Sequence, residues 1–253
     1  MSTKEKLKPW SLLSVLREVR AGGDERRPLV VDGARELVPL LAGELRAGGD
    51  AAAVREGGSV DGAAALVWIG NSDDERLRAA SFAQVPIVGV TDGSSLPYVL
   101  DTNLVFVRPG ESMPVGEVAR ALARVLGTRG AALGLAQRLP VLREATIDEL
   151  IRSAARRNAA IAAAVWAPGV DMPVLTLNQI RLVLRIALAY GKEVDGSRVP
   201  DVLGVVGAGF GFRAVARQLV GLVPLAGWAT RGAVAYAGTV SVGEAARRRF
   251  ELM

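Results

Sequence analysis

Between residues 28 and 126 the chain alternates short, unbroken apolar runs with stretches of helical period. A strand buried on both faces needs an apolar side chain at every position, whereas a half-exposed strand alternates with polar residues. Unbroken runs followed by amphipathic helices therefore define a parallel sheet covered on both sides. The runs fall at residues 28–31, 64–69, 86–90 and 104–107, with a weaker one at 51–55. Helical patterns follow at 34–46, where Leu37, Leu40, Leu41 and Leu45 share a face, from Asp73-Asp74-Glu75 onward, and at 115–126, where Val118, Leu122 and Val125 face inward. Another helix over 9–20 precedes the first strand. The expected fold class is α/β: a small three-layer domain built on a parallel sheet, then an all-α helical domain.

The helical half begins after a connector at 129–143 broken by Gly130, Gly134 and Pro140. Thr146-Ile-Asp-Glu149 and Thr176-Leu-Asn-Gln179 have capping-box spacing, in which the Thr hydroxyl and the later Glu or Gln satisfy free amides, and they predict helix starts. The first helix runs to about residue 166, where Pro168 and Gly169 follow, and the second covers 177–190 and stops at Gly191. Two more cover about 199–222 and 228–250, separated by Val223-Pro224-Leu225. Gly207 with Gly211, and Ala233 with Ala237, are spaced to let helix backbones approach closely, as in tight soluble bundles and membrane bundles. The expected division is an N-terminal arm at 1–26, an α/β domain at 27–128, the connector, and a helical domain at 144–253.

Composition enters through what it removes. The chain has no histidine and no cysteine, so imidazole bases, Ser-His-Asp triads, thiolate nucleophiles, disulfides and ordinary structural zinc sites are all excluded. Its net charge of +5 is uneven: residues 1–128 carry 15 basic and 17 acidic side chains, residues 129–253 carry 16 and 9. A basic, aliphatic second half suits an acidic protein partner or an anionic membrane surface. Nucleic acid is disfavoured, because aromatics make up 5% of the chain and no basic run interleaves with them. The longest stretches without charge are 13 residues, short of the roughly 20 a spanning helix needs, so no spanning helix is expected. No secretory signal is visible at the start, and the expected location is cytoplasmic, with room for peripheral attachment at the inner face of the membrane.

Parallel sheets bind ligands at the carboxyl ends of their strands. Asp32, Asp73 and Asp92 stand at those ends and are the candidates for a metal or nucleotide, while the plainer use of Asp, Asn, Ser and Gly there is capping and turning. A phosphate-cradling loop is missing: Gly33 is followed five positions on by Val38, and the four lysines, Lys4, Lys6, Lys8 and Lys192, follow no strand in that context. Gly207-Ala-Gly209-Phe-Gly211 fails the dinucleotide fingerprint at Phe212. Two arginine pairs at helical i, i+4 spacing, Arg181/Arg185 and Arg213/Arg217, each project from one face. They could grip lipid phosphates or an acidic partner, or be solvated or paired with Asp171, Glu193, Asp195 and Asp201.

Asp171-Met-Pro-Val-Leu-Thr-Leu-Asn-Gln-Ile-Arg181, Leu203-Gly-Val-Val-Gly-Ala-Gly-Phe-Gly-Phe-Arg213, Val223-Pro-Leu-Ala-Gly-Trp228 and Ala233-Val-Ala-Tyr-Ala-Gly-Thr239 together resemble a bacterial helical domain of unknown function found C-terminal to Era-like GTPase domains or in membrane-associated proteins. The resemblance covers roughly residues 144–253. It implies that the first half is a degenerate P-loop GTPase-like domain, in which Val85-Pro-Ile-Val-Gly-Val-Thr-Asp92 looks like the strand leading to the guanine-reading motif. Thr91-Asp92-Gly93 stands in place of Asn-Lys-x-Asp, and Ile69-Gly70-Asn71-Ser72 in place of the magnesium-associated Asp-x-x-Gly, so no catalytic residue carries over. The expectation is a non-catalytic adaptor without a cofactor, docking a protein partner or the membrane surface. The alternatives are a divalent-metal-dependent nucleotide-binding protein or hydrolase using Asp32, Asp73 and Asp92, and a structural homo-oligomer.

Overall fold

The computed structural model describes residues 9–71, 73–108, 110–127, 129–164, 172–193 and 227–252. It divides into two compact units, Gly22–Glu149 and a second one assembled from Met1–Ala21 with Leu150–Met253.

The first unit is the expected α/β domain. Its strands are β1 (Leu29–Gly33), β2 (Val54–Glu56), β3 (Ala65–Ile69), β4 (Ile87–Thr91) and β5 (Leu104–Phe106), all parallel, in the order β2-β1-β3-β4-β5. Unbroken apolar runs give two cores because successive side chains point to opposite faces. Leu29, Val31, Val67, Ile69, Val88 and Val90 pack on one face with α2 (Val38–Arg46), α4 (Val115–Leu126) and α5 (Gly130–Arg138). Val30, Leu66, Trp68 and Ile87 pack on the other with Leu77 and Ala80 of α3 (Asp74–Phe82) and with Leu96 and Val99. This is a doubly wound sheet whose chain reverses direction across the β1–β3 boundary.

Three local expectations shift. The first helical pattern begins at Val38 rather than residue 34, since 34–37 form a turn with Leu37 and Val38 both donating to the Ala34 carbonyl. Residues 51–53 wind into a 3-10 turn that Asp50 caps by accepting from the Ala52 amide, so the weak strand starts only at Val54. The stretch read as a connector contains α5, whose Ala131, Ala132 and Leu135 join the core of the sheet's α2 face.

The second unit contains α1 (Pro9–Gly23) up to Ala21, α6 (Pro140–Ala164) from Leu150 on, α7 (Met172–Ala189) and α8 (Gly227–Glu251). Both predicted capping boxes fall inside helices: α6 begins six residues before Thr146, which is itself buried, and α7 begins four before Thr176. The physical reason is Pro140 and Pro173, because proline's missing N–H costs nothing in a first turn and its fixed φ suits helix entry. Gly191 ends α7 as expected, at φ 72°, with its amide donating to Leu188 and that of Lys192 to Ala187. Gly232 of α8 meets the backbone of α6 closely: a Cβ there would lie 3.3 Å from the Ala159 oxygen and 3.6 Å from the Ala163 Cβ. The helix expected at 199–222, with Gly207, Gly209, Gly211 and Phe212, lies outside the described residues, as do Pro168, Gly169 and the 223–225 break.

Candidate functional site

The carboxyl ends of β1 and β3 are where a doubly wound sheet opens a ligand crevice. Here the two strands stay paired to their last residues, Gly33 opposite Ile69, and the Ala34 amide then donates to the Ile69 carbonyl at 2.8 Å. Gly33 makes this possible. Its φ is 121°, and a Cβ would collide with the Ile69 backbone. The exit of β1 thus lies directly on the end of β3.

Phosphate binding at such a strand-to-helix turn depends on free amides at the helix start. At α2 the Leu37 and Val38 amides turn back to the Ala34 oxygen at 2.9 and 3.1 Å, and Pro39 has no N–H to offer.

The three carboxylates divide. Asp32 accepts from the Gly33 amide at 2.9 Å through one oxygen and from the Arg76 guanidinium through the other. Asp73 caps α3 by accepting from the Arg76 amide at 3.1 Å. Arg76 therefore brings Asp32 and Asp73 together, one by its side chain and one by its backbone. Asp92 stands apart from them, holding the Ser94 amide at 3.3 Å and accepting from the Ser94 hydroxyl at 2.9 Å. Among the described residues no group of three acidic side chains is placed to hold a metal ion.

Arg181 and Arg185 share a partner the sequence did not offer. Glu18 of α1 accepts from Arg181 Nε at 3.1 Å through one oxygen and from Arg185 Nη2 at 2.8 Å through the other. Arg181 also donates to Asn178 at 3.0 Å. Burial pushes the Arg185 guanidinium below its usual range, opposed by the Glu18 carboxylate, and its Nε is buried without a partner. Nothing local announces Glu18, which lies 163 positions before Arg181. The only signal is that a paired, partly buried guanidinium face demands an acid from somewhere. Arg213 and Arg217, with Asp171, Asp195 and Asp201, lie outside the described residues.

No described helix is long and apolar enough to cross a membrane. No protein-family model, no curated protein and no solved structure matches the chain. Fold and strand ends together define a doubly wound α/β protein with an added helical unit.

Proposed function

We propose that the chain is a non-catalytic adaptor of the GTPase-associated kind, in which the α/β unit is a degenerate nucleotide-binding scaffold and the basic helical unit docks an acidic protein partner. The observation that carries this reading is the start of α2. The Val38 amide is spent on the Ala34 carbonyl and Pro39 has none to offer, at the turn after β1 where such a sheet would hold a phosphate. The carboxylates support it too, since Asp32 is spent on Arg76 and Asp73 on a helix cap. For docking, α8 leaves Ala229, Ala233, Ala237, Ser241 and Ala245 exposed at every fourth position, flanked by Tyr236 and Arg248. Such a face lets another backbone come close while cations orient an acidic approach.

Calorimetric titration with GTP and ATP in the presence of Mg²⁺ tests the first half of the proposal; no heat beyond dilution is expected. Saturable binding abolished by Asp32→Ala with Asp92→Ala would establish the nucleotide-dependent alternative. Pull-down with an Ala237→Glu variant as control tests docking, with the partner lost from the variant. Flotation on vesicles of anionic lipid would instead assign the face to a membrane, and a chain that neither floats nor retains a partner would sink the adaptor reading.

A further inference from the structure

At the amino ends of β4 and β5, the opposite end of the sheet from Asp32 and Asp92, the α/β unit carries a groove of about 550 Å³. Pro86, Leu100 and Tyr98 line it together with Gln84, Arg124 and Arg129, and no Asp or Glu does. The volume falls within the range of about 300–1,000 Å³ typical of ligand sites. Its walls, however, stand open to solvent: Tyr98 is 54% and Leu100 70% exposed.

Two backbone strains converge on it. Among the described residues only Gln84 and Tyr98 are non-glycine residues with positive φ, at 55° and 63°, and both line the groove. Each costs about 1 kcal/mol or more relative to an ordinary conformation. Gln84 does so at the end of α3, where glycine would serve without cost, and Tyr98 holds a large aromatic side chain out at the rim.

Charge sets the kind of occupant. The unit Gly22–Glu149 has 13 basic and 18 acidic side chains, so a groove whose charged lining is two arginines departs from its net charge, even with exposed Asp101 standing between lining residues Leu100 and Thr102. The carboxyl ends of α3 and α4 contribute about half a negative charge each at most, against two full guanidinium charges on the groove wall. Arg124 donates to the Thr102 carbonyl at 2.9 Å, and among the described residues Arg129 has no acidic partner. Exposed Tyr and Leu beside paired Arg is the chemistry of a protein interface rather than of an enclosed small-molecule site.

We propose that this groove docks an acidic segment of a protein partner, seating an apolar side chain against Tyr98 and Leu100 while a neighbouring carboxylate meets Arg124 and Arg129. It is formed wholly by the α/β unit and stands independently of the α8 face.

Selection of the full chain against a random dodecapeptide library, followed by titration of the leading synthetic peptide, tests it. Enriched sequences pair Asp or Glu with Leu, Phe or Trp. Arg129→Glu and Leu100→Glu, both at exposed positions, each weaken the peptide about tenfold or more, and Arg129→Gln, which adds no repulsion, weakens it about threefold. No enrichment, enrichment of basic peptides, or affinities within about twofold of the parent in both glutamate variants would overturn the proposal. So would displacement of the peptide by anionic phosphatidylglycerol vesicles that bind through the same residues.

Discussion

At the scale of the residue, Gly134 shows how two opposed effects are decided by size. It sits inside α5, where alanine would be favoured by about 1 kcal/mol on propensity. A Cβ there, however, would run into the Glu25 carbonyl, a backbone atom that cannot swing away. Overpacking of this kind costs about 3 kcal/mol, so Gly134→Ala should destabilise by about 2 kcal/mol net, read as a lower midpoint in urea. Glu25 itself supplies a pH prediction. Hydrogen bonds from Arg27, its side chain first and its amide at 3.1 Å, hold the carboxyl below the usual glutamate range against the opposing pull of burial. A depressed folded pKa gives stability that is present above the unfolded value, about 4.3, and is lost as pH falls through the folded one. Glu25→Gln should therefore lower the urea midpoint slightly at neutral pH and not at all near pH 2, about two units below that unfolded value. Because Arg27 is half exposed and Glu25 still reaches solvent, high salt should shrink the neutral-pH difference.

At the scale of the element, the helices of the second unit are tied by polar bonds as well as apolar packing. Asn158 of α6 and Thr239 of α8 are both fully buried, and the Asn158 amide donates to the Thr239 hydroxyl at 2.9 Å, which donates in turn to Ala235. Asn178 of α7 donates to the Asn158 oxygen at 2.9 Å, and through Arg181 the chain of bonds reaches Glu18 on α1. Removing one member of a buried set leaves its partners unsatisfied, so Asn158→Ala should cost about 2 kcal/mol. Adding Thr239→Val should cost less than it does alone, a coupling that a double-mutant cycle in denaturant measures. The strands and helices that form this protein were largely legible in its sequence, since an unbroken apolar run reads as a buried strand wherever it falls. The starts of α6 and α7 were not, because a Thr followed three residues later by Glu or Gln is also an ordinary helix-interior pattern. Thr146 could be told from a cap only by its burial within α6. The strand-end aspartates were legible as positions. Their commitment to Arg76 and Ser94 depends on loop geometry that residue types do not encode.

At the scale of the whole molecule, the second unit is discontinuous: residues 1–21 belong with 150–253, and 128 residues of α/β unit intervene. Composition cannot reveal such an arrangement, since residues 9–20 read as an isolated amphipathic helix wherever they pack. The α/β unit is continuous in sequence and has its own two-sided core, the conditions for a domain that unfolds as one cooperative step. The helical unit must close a far longer loop before α1 joins it. Within it Val15 and Val19 are fully buried, and Glu18 is the carboxylate that Arg181 and Arg185 share. Deleting residues 1–21 should therefore strip apolar cover from the helices and leave two partly buried guanidiniums without their acid, a loss of about 3 kcal/mol or more from that unit. The sheet should be spared. Trp68, in β3 and 6% exposed, reports it when the other three tryptophans are replaced by Phe. In urea the Trp68 fluorescence midpoint of the deleted chain should match that of the full chain, while the helical signal in circular dichroism, to which the second unit contributes, acquires an earlier transition. A fall in the Trp68 midpoint as large as that in the helical signal would mean that the two units unfold as one.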